Sequence, residues 1–198
     1  MLAAVADDED LQAVLDLDAA TNDRLLAADD RLPGIGLDEL VFAVPHADVV
    51  NAAFCHPHPL GARFNGPDRG AWYAAYELAT SQAEVAFHKS VQLAEVGRFD
   101  DSVTYDDYLA DISATLHDVR TARGFTACLD PRSYVASQAL AERLMQAGSL
   151  GVIYPSVRRS GGTCLACFRP ALVMNVRRGR TYRFVWHGEP RPTIALVP

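Results

Sequence analysis

One short stretch carries a cation, an aromatic and an acid close together. Gly61 to His88 reads GARFNGPDRGAWYAAYELATSQAEVAFH. It supplies Arg63, a turn-rich loop from Gly66 to Gly70, an aromatic strand with Trp72 and Tyr73, and Glu84 near a helix start. A guanidinium pairs with phosphate through its planar donor fork, an aromatic face holds a cationic ring, and a carboxylate accepts from sugar hydroxyls. The combination suits a ligand with phosphate, ring and sugar parts. Each member also has an ordinary reading: Ser81-Gln82-Ala83-Glu84 matches the S-x-x-E capping box, Tyr73 fits a strand core, and Arg63 a solvated loop.

Other candidates carry less. Cys164 and Cys167 form a CxxC, and His56 and His58 lie close together. A structural zinc site normally shows two such pairs, and in a strand the two cysteines would point to opposite faces. They are read as small core residues, and no metal site is expected. Ser156 follows the strand-like GVIY but lacks the GxSxG elbow of a hydrolase nucleophile. It fits a hydroxyl that binds sugar or phosphate, and equally a serine satisfying turn backbone ahead of Arg158 and Arg159. The basic runs Arg177–Arg180 and Val157–Gly162 remain open between phosphate contact and solvated turn.

These residues need elements to hold them. Asp7 to Asp30 reads as helical, with Leu11, Val14, Leu15 and Ala19 at helical spacing and acids at its start. RLPGIGL (31–37) is a breaker. Leu40–Val44 is expected as a short strand, Val49–Phe54 as helix or strand, and CHPHPLG as loop. Ala71–Ala75 is expected as a strand, and Thr80–Val96 as a helix with Ala83, Phe87, Val91 and Ala94 facing inward. Arg98–Phe125 suggests a short strand and a helix. Asp130-Pro131 reads as an N-cap with proline at the first helical position, and that helix (Val135, Ala139, Leu140, Leu144) stops at Gly148. Four strands should follow: Gly151–Tyr154, Cys164–Phe168, Ala171–Val176 and Thr181–Trp186, with turns at Gly161-Gly162 and Arg178-Gly179. Helices early and a strand meander late make an α+β chain. Neither a Rossmann fingerprint nor a P-loop is present.

The 198 residues suffice for a single domain with one sizeable core, and 49% apolar with 22% charged residues argues against disorder. A net charge of −7 opposes direct nucleic-acid or anionic-membrane binding. The amino terminus is too acidic for a secretory signal, and no run approaches the ~18 apolar residues of a membrane span. The four cysteines are scattered, which fits a reducing compartment. The expected location is cytoplasmic.

The order of segments TNDR, GARF with WYAA and SQAEVAFH, DPRSYVASQALAERL, and GVIYPSVRRSGGTCLACFRP resembles the RES domain family. The family is named for its arginine, glutamate and serine, and includes toxins of bacterial toxin–antitoxin pairs. The resemblance runs from about Thr21 to Trp186, with the Ser156 segment its most specific part. It implies a single RES-like domain over 1–198, with an accessory helical segment at 1–40 and a catalytic core at 41–198. The implied fold is similar to the ADP-ribosyltransferase toxins, with a site for NAD.

Carried over by position, Arg63, Tyr73, Glu84 and Ser156 would be the catalytic residues. Arg63, Tyr73 and Ser156 would also bind NAD. Many members have a further arginine in a first strand. Here that region reads AAFCHP, which leaves His56 as a stand-in or the role absent. Arg24 fits the pattern without an assigned role.

The implied activity is cleavage of the nicotinamide–ribose bond of NAD, the substrate, with inorganic phosphate or water as acceptor and no metal. Alternatives are ADP-ribosyl transfer to a protein, and a non-catalytic module that binds NAD or a partner. A toxin of this kind implies a cognate antitoxin, a small Xre-like DNA-binding protein covering the active cleft. Oligomeric state is left open.

Overall fold

The computed structural model describes residues 34–121 and 123–198. The helix expected over Asp7–Asp30, and Arg24 within it, lie outside the described residues.

Two sheets and three α-helices make up the described part, an α+β architecture. The first sheet runs β1 (Trp72–Ala75), β5 (Thr163–Cys167), β4 (Gly151–Pro155), β3 (His117–Asp118). Its pairs are antiparallel except β3 with β4. The second sheet is a long antiparallel ribbon of β2 (Asp100–Asp111) and β6 (Met174–His187), with β7 (Thr193–Leu196) on its edge. Helix α1 spans Ala47–Cys55, α2 Leu78–Glu95 and α3 Val135–Gln146.

Both faces of the first sheet are buried, which explains why β4 and β5 read as nearly continuous apolar runs. Along β5, Cys164 and Ala166 join Leu140, Ala141 and Leu144 of α3 in one core. Leu165 and Cys167 join Val50 and Phe54 of α1 in another. The period of two thus separates the CxxC cysteines onto opposite faces. A third cluster places Leu93 of α2 against Phe184 and Trp186 of β6, and Trp186 Nε1 donates to Ser90 Oγ of α2 at 2.9 Å. Helix α2 is therefore held to the ribbon through Ser90 and Leu93.

Several expectations are corrected. Leu40–Val44 is not a strand: Ala43 has φ 56°, and the N–H and C=O of Val41 bond the Asn51 side chain of α1. Val49–Phe54 falls in helix α1, so AAFCHP crosses a helix end and not a first strand. The stretch Arg98–Phe125 holds the 12-residue β2, the short β3 and the start of a 3-10 segment (Arg123–Leu129), with no α-helix among its described residues.

Helix α3 begins at Val135, not after Asp130, whose carboxylate instead accepts from Arg132 N in a turn. Gly148, with φ 76°, does follow its end. Ala171–Val176 is broken by a 3-10 turn at Pro170–Leu172. Arg178-Gly179 makes no hairpin, because β6 runs through it. A Cβ on Gly179 would stand 2.3 Å from Asp107 Oδ1, so the glycine serves close approach at an irregularity in the ladder.

The stripe Ala83, Phe87, Val91 and Ala94 does not face the core; it lines an open groove shared with Phe99, Arg158 and Ile194. The inward residues of α2 are Thr80 and Leu93.

Candidate active site

Helix α2 starts earlier than its sequence suggests. Glu77 stands at the N-cap position in extended backbone, and its Oε2 accepts from Thr80 Oγ1 at 2.7 Å and from Thr163 N at 3.3 Å. The start is thereby tied to β5, and Ser81 falls inside the first turns. Glu84 is therefore not the acid of a capping box. Its carboxylate is directed across to the loop that follows β4.

That loop, residues 156–162, closes on itself through Ser156 N to Gly162 O at 2.8 Å and Gly162 N to Arg159 O at 3.1 Å. Gly162 lies against α2 so closely that a Cβ would sit 2.4 Å from Thr80 Oγ1. Close approach presents Ser156 Oγ to Glu84 Oε1 at 2.6 Å, a length typical of a hydroxyl donating to a carboxylate. The same Oγ accepts from Arg158 N at 3.1 Å and Arg159 N at 3.0 Å. With both lone pairs engaged by backbone donors, the hydroxyl proton has one direction left, toward Glu84. Cys164 Sγ stands 3.8 Å from the same carboxylate oxygen. Burial, then the nearby Glu84 charge, pushes its thiol up to about 12, so it stays protonated.

Arg63 projects from a tight turn in which Ala62 N donates to Asn65 O at 3.0 Å. The residue is 6% exposed. Nη1 donates to the carbonyls of Cys128 and Asp130, each at 3.0 Å, and the guanidinium lies over the Tyr134 ring at 4.7 Å. Nη2 is buried without an acceptor among the described residues. Carbonyls orient the guanidinium but do not neutralise it. Arg69 and Arg169, by contrast, pair with Glu39.

Tyr73 has a divided role. Its hydroxyl accepts from Phe64 N and donates to Asn65 Oδ1, both at 2.8 Å, and so supports the turn that carries Arg63. Enclosure of that end raises the phenol above its ordinary pKa. The ring remains open, with 37% of the residue exposed.

A cleft of about 350 Å³ joins these groups, with Arg63, Tyr73, Glu84, His88, Tyr134 and Tyr154 among its walls. Ser156 meets it through the bond to Glu84. The structure thus brings Arg63, Tyr73, Glu84 and Ser156 together. It leaves out His56, which is exposed beyond the end of α1 and absent from the cleft wall.

His88 and Tyr134 are among the cleft residues not singled out in the sequence. His88 stands four residues after Glu84, and that spacing on a helix is a usable signal for a shared face. Tyr134 had no local signal, since it meets Arg63 only through tertiary packing. Among the described residues, no group of three or more His, Cys, Asp or Glu is arranged to hold a metal.

The family model for the RES domain matches residues 40–187. The chain belongs to the RES domain family. No curated protein matches it. The matched span of this RES domain contains Arg63, Tyr73, Glu84 and Ser156 together with His88 and Tyr134. Membership is consistent with an NAD-related, toxin-like function. Among the described residues no helix is long and apolar enough to cross a membrane.

Proposed function

We propose that this RES domain cleaves the nicotinamide–ribose bond of NAD and passes the ADP-ribosyl unit to phosphate or water, depleting the dinucleotide. The observation that carries the reading is the Ser156–Glu84 bond at 2.6 Å on the wall of a cleft that also holds Arg63 and the Tyr73 ring.

Loss of nicotinamide leaves positive charge on the ribose, as in other oxocarbenium-like transfers. Glu84 is suited to stabilise it: one oxygen is fixed by Ser156, and Oε2 receives no hydrogen bond from any described residue and is free for a ribose hydroxyl. A fixed carboxylate needs little reorganisation as charge develops. The open face of Tyr73 suits the pyridinium ring, and the un-neutralised Arg63 gives that side of the cleft a positive potential for phosphate. The cleft is at the small end of ligand pockets, ~300–1,000 Å³, which suits the reacting half of a dinucleotide. A cognate antitoxin covering the cleft belongs to the same reading, and co-purification with loss of NAD turnover would test it.

The test of the activity is incubation of the purified protein with NAD, with and without phosphate, and mass spectrometry of the products. Nicotinamide with ADP-ribose-1″-phosphate or ADP-ribose supports the proposal. Intact NAD in both samples, with the protein folded, overturns it.

A further inference from the structure

Transfer to water requires something that transfer to phosphate does not. A phosphate dianion attacks through an oxygen with no proton to lose, whereas water must give one up as its oxygen bonds the ribose carbon. The cleft must therefore hold a proton acceptor if it hydrolyses NAD.

Most groups in the cleft cannot take that part. Glu84 Oε1 is committed to Ser156, and the carboxylate is needed as a charge opposite the ribose. Burial holds the phenols of Tyr73 and Tyr154 and the thiol of Cys164 in their protonated forms. The Tyr73 hydroxyl is in addition occupied by Phe64 and Asn65. Tyr105 is likewise raised by burial, the Tyr134 ring packs beneath the Arg63 guanidinium, and Arg63 and Lys89 are cations, the latter paired with Asp101 at 2.8 Å.

His88 is different. It lies one helical turn beyond Glu84 in the wall of the same cleft, and neither ring nitrogen is hydrogen-bonded to a described residue. Its ring meets the Phe87 ring edge-on at 5.5 Å. The residue is exposed, and it forms part of the cleft wall, where an incoming water can reach its ring.

We infer that His88 is the general base that takes the proton from an attacking water, making the hydrolytic branch of the proposed reaction dependent on it. The inference rests on the NAD-cleaving reading. The step balances: the bond from ribose carbon to nicotinamide nitrogen breaks with its electron pair leaving on nicotinamide. The water oxygen bonds the carbon, and its proton goes to the imidazole. Release of that proton to solvent regenerates the base.

The charge environment keeps the imidazole ready to accept. Burial lowers its pKa first. Glu84 on its own helix opposes this, while Arg158 from the loop after β4 and Arg63 and His58 from the loop after α1 add to it. The ring is therefore neutral at neutral pH.

The experiment compares wild type with His88→Gln and His88→Asn, each checked for thermal melting, in NAD reactions without and with inorganic phosphate. In either variant hydrolysis should fall by ~10²-fold, the scale of general-base catalysis, while phosphorolysis falls far less. The product ratio then shifts toward ADP-ribose-1″-phosphate. The hydrolytic rate of wild type should also fall as pH drops through a value below the usual histidine range, a limb that both variants lose. Equal loss of both products in a folded variant, an unchanged ratio, or a wild type that forms no ADP-ribose would overturn the role of His88. No nicotinamide from wild type under any condition would overturn the NAD reading itself, and the inference with it.

Discussion

Ser156 Oγ donates to Glu84 Oε1 at 2.6 Å, and two backbone N–H groups from Arg158 and Arg159 fix the direction of that donation. The serine is thus oriented by its own loop, and the glutamate by the serine. Glu84→Gln preserves size and an acceptor for Ser156 but removes the negative charge. Nicotinamide release should fall by ~10²–10³-fold with little change in melting temperature. Ser156→Ala should cost less, and the double variant less than the product of the two, because the residues act as a unit. Single-turnover rates for the four proteins check this; independent effects would contradict it.

Arg63 is oriented by the Cys128 and Asp130 carbonyls and stacked on Tyr134. A lysine offers no planar fork and cannot hold both carbonyls while facing a phosphate. Arg63→Lys should raise KM for NAD by roughly 10-fold or more, as expected when a charged hydrogen bond of about 1.5–3 kcal/mol is lost. Steady-state kinetics beside a thermal melt separates that from unfolding.

The Tyr73 hydroxyl receives the Phe64 N–H at 2.8 Å. Tyr73→Phe keeps the ring in the cleft but leaves a backbone donor without its acceptor, at a cost of about 1–3 kcal/mol. Urea denaturation should show that loss. Activity should change through the Arg63 turn, in KM more than in kcat. Tyr73→Ala should lower both, since the ring is gone too.

Glu39 bridges Arg69 and Arg169. The hydrogen bond from Arg69 is the largest influence lowering its carboxyl from 4.5 to about 2, with burial opposing it. A depressed folded pKa contributes stability above the unfolded pKa, lost as pH falls through the folded value. Wild type should exceed Glu39→Gln in stability at neutral pH by on the order of 1 kcal/mol, after allowance for solvent screening. The difference should shrink between pH 4.5 and about 2. Denaturation at several pH values follows it; a gap constant with pH would rule the linkage out.

Local chemistry made much of this chain legible. The breaker and loop residues from Pro57 to Gly61, the strand WYAA, the long helix after it and the glycine stop at Gly148 are set by propensity and periodicity over neighbouring residues. So was the placing of Cys164 and Cys167 on opposite faces, since strand geometry alone dictates it. The resemblance carried Arg63, Tyr73, Glu84 and Ser156 into one site, but spacing along the chain could not tell Glu84 the cap from Glu84 the acceptor. Both readings satisfy S-x-x-E. Glu77, tied to Thr80 and Thr163, begins the helix early, and only then does Glu84 turn toward the Ser156 loop. Arg178-Gly179 looked like a turn because the partner strand β2, far away in sequence, was invisible to local pattern. The stripe Ala83, Phe87, Val91 and Ala94 has helical period, yet period names a face without naming what covers it. Tertiary structure decided those points, because hydrogen-bond partners and burial come from residues distant in the chain. The sequence by itself determined which residue types and local elements were available; packing of the loop at Gly162 against Thr80 decided that a serine and a glutamate would meet.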